Sequence, residues 1–218
     1  MRKEEAKFIG EIIRDINFAT LVNLGSGDVS LLSKKKPWVD EYIFIPVSNR
    51  GVAIVHSDFK LFEGVDLVVD LTVSEQLKIF EEIPGKRVFL LANVLEHVPD
   101  SLRSCLVENI EKLLQPNDEL IVSVPFKYPY HADPIDSMFR PSPSDLGRFF
   151  HLDVVRSEVV ISSTYFDELK TMPLLKACRK LLKPIWPFQK AKKIRESISR
   201  LTFLFKPYKV SVVRFAKK

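Results

Sequence analysis

The stretch Val22-Asn23-Leu24-Gly25-Ser26-Gly27-Asp28 decides how this chain reads. An apolar, β-branched run over 19–24 stops at two glycines that flank one serine. Such a run predicts a buried strand, and glycine just beyond it lets the backbone turn sharply and come close to a ligand. The chain has seven glycines in 218 residues, so a pair in one turn carries weight. The third glycine of the dinucleotide fingerprint is missing: Leu31 and Leu32 fill that region, which argues against NAD and for a ligand without a pyrophosphate.

A helix precedes this turn and further strands follow it. Upstream, Phe8, Ile9, Ile12, Ile13 and Ile16 share one helical face. Downstream, buried strands are predicted over 51–56, closed by Ser57-Asp58, and over 65–69, closed by Asp70. Others are predicted over 87–92, over 119–124 with Pro125 ending it, over 157–164 and over 208–215. Thr72 and Glu75 have the spacing of a capping box, which predicts a helix to about Glu82. Asp100 is placed to cap a helix with Leu102, Leu106, Ile110, Leu113 and Leu114 inward, and Ser142-Pro143 opens another. Residues 33–50 have little period and read as a connection, with a turn at Lys36-Pro37 and a short strand or helix over 42–45. Strands alternating with helices predict an α/β, Rossmann-like, doubly wound and mostly parallel sheet. The chain reads as a single domain over 1–218, with a basic helical insertion over 172–205 before the last strand.

In such a sheet ligands bind beyond the carboxyl ends of the strands, so the residues just after each strand are the informative ones. Asp58 is placed to accept from a ribose diol and Asp70 from an adenine amino group, unless they are simply a loop acid and a helix-dipole acid. In order along the chain stand Val22 to Asp28, Asp58, Asp70, Leu95-Glu96-His97-Val98 and Ile121-Val122-Ser123-Val124-Pro125-Phe126. This series resembles that of class I S-adenosylmethionine-dependent methyltransferases over roughly residues 18–150. It looks most like the type-11-like branch found among polysaccharide-biosynthesis genes. That branch carries a strand ending in V-P-F, then H, P-x-D and F-R; here these are Pro125-Phe126, His131, Pro134-Ile135-Asp136 and Phe139-Arg140. The resemblance implies S-adenosylmethionine as cofactor, held by Asn23, Gly25, Ser26, Gly27, Asp58, Asp70 and Asn93. It implies a sugar hydroxyl of a surface glycan or its precursor as acceptor; another small molecule, or a non-catalytic adaptor keeping the fold, is the alternative.

Methyl transfer from a sulfonium needs mainly alignment, and a hydroxyl acceptor gains from a base. His131, in the loop beyond the fifth strand with Asp133 and Asp136 nearby, is the first candidate, and Arg140 is placed to hold the acceptor. His97, beside Glu96, is the second candidate. A polar loop whose histidine only packs or caps is the competing reading. His56 and His151 have no such context and read as structural, and no ligand spacing demands a metal.

Charge is divided along the chain. Residues 170–218 hold 15 of the 33 Lys and Arg with Glu196 as their only acid, giving +14 against −9 for the rest. Leu174, Leu175, Cys178, Leu181 and Leu182 fall on one helical face between Lys176, Arg179, Lys180 and Lys183. Pro184 and Pro187 interrupt the helix around Trp186, and Ala191, Ile194, Ile198, Leu201 and Phe205 continue at helical spacing. This composition suits a helix lying on an anionic membrane; the stripes alternatively pack on the sheet or on a second subunit of a homodimer. Nucleic acid is not expected, because Asn93-Val94-Leu95-Glu96 is no amino-methylating Asn-Pro-Pro-Tyr motif. Two distant cysteines, Cys105 and Cys178, and a start with acids among its apolar residues suit a cytoplasmic protein, at most peripheral to the inner membrane face.

Overall fold

The computed structural model describes residues 1–131, 135–182 and 191–217. Its centre is a seven-stranded sheet in the order β3-β2-β1-β4-β5-β7-β6. The strands are β1 (Thr20–Leu24), β2 (Ala53–Asp58), β3 (Leu67–Val68), β4 (Arg87–Ala92), β5 (Glu119–Lys127), β6 (Asp153–Ile161) and β7 (Lys209–Ala216). β1 to β5 pair in parallel, while β7 runs antiparallel to β5 and to β6.

Both faces of the sheet are covered, so its central strands are buried throughout and read as apolar runs. On one face α1 (Lys3–Arg14), α2 (Val29–Lys35), α3 (Pro37–Val39) and α4 (Ile45–Ser48) form a layer; Ile9, Ile12, Val39, Ile43 and Val47 pack on Leu21, Val88, Leu90 and Ile121. On the other, α5 (Ser74–Leu77), α6 (Asp100–Leu113) and α7 (Pro143–Phe149) bring Leu77, Leu106, Ile110 and Leu146 onto Val22, Phe89, Leu91 and Val122. Successive strand residues thus serve opposite layers, as the two-residue repeat of a strand requires. The α8 (Tyr165–Lys170), α9 (Leu174–Leu182) and α10 (Ala191–Leu201) helices lie between β6 and β7.

Several local expectations are corrected. Residues 29–48 are helical almost throughout, with a π turn over Asp40–Phe44 joining α3 to α4. Pro37 sits at the start of α3, where a missing N–H breaks no helical bond, and Pro46 comes just after the π turn. Thr72 and Glu75 form no capping box: the Thr72 hydroxyl donates to Asp70 Oδ1 instead, and α5 is one turn followed by a 3-10 stretch over Lys78–Glu82. Pro125 does not end β5; the strand passes through it, with a register shift against β7 between Pro125 and Lys127. Leu102 faces outward on α6. β6 begins earlier than expected, at Asp153.

The insertion is also not what simple packing on the sheet would give. Ala177 meets Tyr165, Leu169 and Tyr208. The leucine face turns away from them: Leu174 is 78% exposed and Leu175 87%. Leu182, Ile198 and Phe205 are also exposed. Lys183, Pro184, Trp186, Pro187 and Lys190 lie outside the described residues, as do Asp133 and Pro134.

Candidate active site

The sheet changes direction of winding between β1 and β4, where an open α/β sheet offers its ligand crevice. The Gly25-Ser26-Gly27 turn leaves β1 with positive φ at both glycines, 68° and 64°. A Cβ on Gly25 would stand 2.6 Å from the Val94 side chain, so the turns after β1 and β4 touch only because Gly25 has none. Gly27 meets nothing within 4 Å of that position and borders open space. Its N–H donates to Asp58 Oδ2 at 2.8 Å, and the Lys60 N–H donates to Oδ1 at 3.1 Å. These bonds hold the buried Asp58 carboxylate at the end of β2 and occupy one lone pair on each of its oxygens. Asp28 caps α2 by accepting from the Leu31 N–H.

The other residues expected around this turn are tied to neighbours. Asp70 Oδ1 accepts from both the N–H and the hydroxyl of Thr72. The Asn23 side chain lies on the α1 face of the sheet, 3.1 Å from His56 Nδ1. Asn93, at φ 57°, donates to Glu5 Oε1 at 2.7 Å. That same oxygen accepts from the Ser123 hydroxyl. Glu5 thus clamps the ends of β4 and β5 from the first turn of α1. In sequence its only signal is an acid four residues before Ile9 on an otherwise apolar stripe.

Beyond β4 and β5 lies a polar cavity of about 530 Å³, lined by Asn93, Glu96, His97, Tyr128 and His131 on one side. Arg2, Glu168, Glu196, Arg200 and Tyr208 line it on the other. Arg2 ties this second wall together: it donates to the Tyr128 hydroxyl and to Ser163, pairs with Glu168, and lies over the Tyr208 ring. Sequence reading missed these residues because they come from the chain's two ends and meet only on folding.

The two candidate histidines meet in this cavity. The Leu95–His97 turn is held by Ser137, whose N–H and hydroxyl both donate to Glu96 O, and by Arg103, which donates to Leu95 O and Ser137 Oγ. His97 Nδ1 lies 2.5 Å from Ile135 O, so it is the donor and Nε2 is left with its lone pair. The His97 and His131 rings meet edge to face with centroids 5.2 Å apart. Burial lowers the His131 pKa and keeps the ring neutral. Asp136 stands behind it, with Oδ2 at 3.2 Å from His131 Nδ1. Burial pushes the Asp136 carboxyl up, but Arg140 and the N–H groups of His131 and Met138 outweigh this and hold it below the usual range. Arg140 donates to Asp136 at 2.6 Å and braces the loop rather than lining the cavity. Glu96 is 0% exposed, and neither carboxylate oxygen has a hydrogen-bond partner. Burial pushes its pKa up to about 8.

Neither a protein-family model nor a curated protein is similar to the chain in sequence. Solved structures are similar in fold. A SAM-dependent methyltransferase from Anabaena variabilis is 10% identical, with 100% of this chain and 86% of that one covered at a TM-score of 0.53. This chain has a class I methyltransferase fold. The cyclase SpnF is 12% identical over 99% of this chain and 81% of that one, at a TM-score of 0.52. The 1,6-didemethyltoxoflavin-N1-methyltransferase of Burkholderia thailandensis is 14% identical over 99% and 78%, at 0.50. A class I methyltransferase fold therefore places the site without fixing the reaction, as a cyclase among these structures illustrates.

Proposed function

We propose that the chain is an S-adenosylmethionine-dependent methyltransferase acting on a small polar acceptor. The observation that carries this reading is the open Gly25-Ser26-Gly27 turn with Asp58 beside it, opening next to a separate polar cavity beyond β4 and β5. Relatives in fold support the cofactor: the toxoflavin-precursor methyltransferase holds S-adenosylhomocysteine. The residues fit such a group. Gly27 leaves room for a ligand against the backbone, Asp58 would accept from ribose hydroxyls, and Asp70 would hold the adenine end. Asn93 and Asn23 are held by Glu5 and His56 at the edges of this turn. When bound, the cofactor supplies an activated methyl group on a sulfonium.

The chain's own task is then to orient an acceptor and help remove its proton. A cavity walled by tyrosines, carboxylates and arginines favours a hydroxyl-rich acceptor over an apolar one. A sugar hydroxyl of a glycan precursor is the finest form of that reading. His131 and His97 assist the acceptor oxygen, Asp136 positions His131, and Arg140 holds Asp136 in place. Calorimetry with S-adenosylmethionine and S-adenosylhomocysteine tests the cofactor. Binding by wild type, weakened at least tenfold in Asp58→Ala, is expected; no heat at millimolar ligand would leave a non-catalytic adaptor with this fold.

We propose further that α9 and α10 dock on an anionic membrane at the cytoplasmic face. The exposed Leu174, Leu175 and Leu182 stand among Lys176 and Arg179, in a segment of net charge +14. Each basic residue near such a surface contributes about 1 kcal/mol, weakened by salt. Co-sedimentation with anionic but not neutral vesicles, reduced by charge reversal at Lys176 and Arg179, is the expected result. Dimerisation without vesicle binding would assign the face to a second copy.

A further inference from the structure

The least explained group in the molecule is Glu96. A carboxylate removed from water costs several kcal/mol unless paired or coordinating a cation. Arg87, the other large charged side chain buried to 0%, has partners for its guanidinium nitrogens; Glu96 has none for either oxygen. Its surroundings supply ligands instead. One ligand atom each from Glu96, His97 and His131 lies within 4.8 Å of the others, and all three residues line the cavity. His97 Nε2 is 3.8 Å from Glu96 Oε1.

We infer that Glu96, His97 and His131 form a binding site for one divalent transition-metal ion of the zinc class. Two imidazoles and one carboxylate are the donor set of catalytic zinc sites, with a further position left open. At His97 the outer shell is that of a metal ligand as well. Ligating histidines usually donate their second ring N–H to a carbonyl or carboxylate. His97 gives Nδ1–H to Ile135 O; His131 Nδ1 is buried without a hydrogen-bond partner, and the Asp136 carboxylate, 3.2 Å away, holds that residue through its backbone N–H. Both histidine-bearing segments are pinned before any ion arrives, through Ser137 to Glu96 O and through Arg140 to Asp136. Among the described residues no cysteine joins the cluster.

The inference deepens the acceptor-activating role given to His131 above, and rests on that reading only for what the ion does. Because Glu96, His97 and His131 all line the cavity, an ion held by them would be reachable by an acceptor oxygen there. Such an ion would lower the pKa of the acceptor hydroxyl and so let its proton pass to solvent. His131 then acts as a ligand rather than as the proton acceptor itself. Acceptors with a hydroxyl beside a second oxygen donor fit this arrangement best.

The test needs neither cofactor nor acceptor. Untagged full-length protein is treated with chelator, dialysed, and titrated with cobalt(II) and then with zinc(II). One equivalent of cobalt is expected to give visible d–d absorption, displaced by one equivalent of zinc. Glu96→Gln and His131→Ala should weaken cobalt binding at least tenfold while keeping the wild-type circular dichroism. His151→Ala, at a surface histidine, should leave binding unchanged. Absence of bands at millimolar cobalt in wild type, or bands that persist in both cluster variants, overturns the site. A thiolate charge-transfer band would move binding to a cysteine and overturn it too. Failure of the cofactor reading would appear only in the calorimetry with S-adenosylhomocysteine, so the two outcomes stay separate.

Discussion

Arg87 opens β4 and Glu96 follows its far end, and both side chains are 0% exposed. Their environments differ in kind. Arg87 donates through Nε and Nη2 to Asp118 at 3.1 and 2.5 Å, and through Nη1 to Phe80 O at 2.7 Å. Asp118 also accepts from the N–H groups of Arg87 and Gln115. This end of the sheet is a closed ion pair that locks β4, α6 and the turn before β5 together. At the other end Glu96 is buried just as deeply with no partner for its oxygens. Burial by itself therefore does not separate a structural charge from a functional one; the completeness of the hydrogen bonds does.

The largest effect is expected at the closed end. Asp118→Ala should cost about 3–5 kcal/mol in urea unfolding, because it strands the Arg87 charge in the core. A cost below about 1 kcal/mol would mean that water reaches Arg87, and the contrast would fail. At the open end the same experiment should give little. In chelator, Glu96→Gln replaces a buried carboxyl that has no hydrogen-bond partner with an amide of the same volume, so stability should hold within about 1 kcal/mol or rise. A loss as large as that of Asp118→Ala would show that Glu96 also has a structural partner.

A smaller effect checks that ordinary capping, far from both ends, follows its usual scale. The Ser142 hydroxyl accepts from the Asp145 N–H, and Asp145 returns the bond to the Ser142 N–H and hydroxyl. Ser142→Ala should cost about 1 kcal/mol. These bonds to Ser142, with Arg148, hold the Asp145 carboxyl down at about 2. A depressed carboxyl adds stability above its unfolded pKa and loses it as pH falls through about 2. Ser142→Ala should therefore raise the Asp145 pKa toward the ordinary range, read by NMR titration. Smallest of all, Leu175→Ser should change stability by less than about 0.5 kcal/mol, since the side chain is 87% exposed. A larger loss would mean that α9 already packs on something in solution.

Much of the sheet was legible because its strands are covered on both faces. β4 was predicted at its observed bounds, and β1 within one residue of them. The glycine turn and the acid at the end of β2 were legible because positive φ and a strand-end carboxylate both show as residue types. Residues 29–48 were not legible as helix. Val39, Ile43 and Val47 do recur at helical spacing, but Pro37 reads as a turn until the structure shows it opening a helix. The capping box at Thr72 failed because Asp70, two residues away, competes for the same hydroxyl.

His97, His131, Asp136 and Arg140 could be named from sequence because their types and positions after strands are chemical signals in themselves. Their geometry could not. That His97 points Nε2 toward Glu96 depends on Ile135 O, 38 residues along the chain, accepting from Nδ1. That Glu96 lacks a partner depends on which groups the fold fails to bring near it, and no local pattern records an absence. Sequence determined the layered α/β fold and the strand ends at which a ligand would sit, because burial and turn chemistry are written in nearest-neighbour order. Tertiary structure alone decided that an acid and two histidines share one cavity, that Arg2, just before the first helix, lines its other wall, and that Glu5 bonds Asn93 and Ser123 beside it. Contacts across more than 100 residues are set by the packing of whole layers, which no short stretch of chain contains.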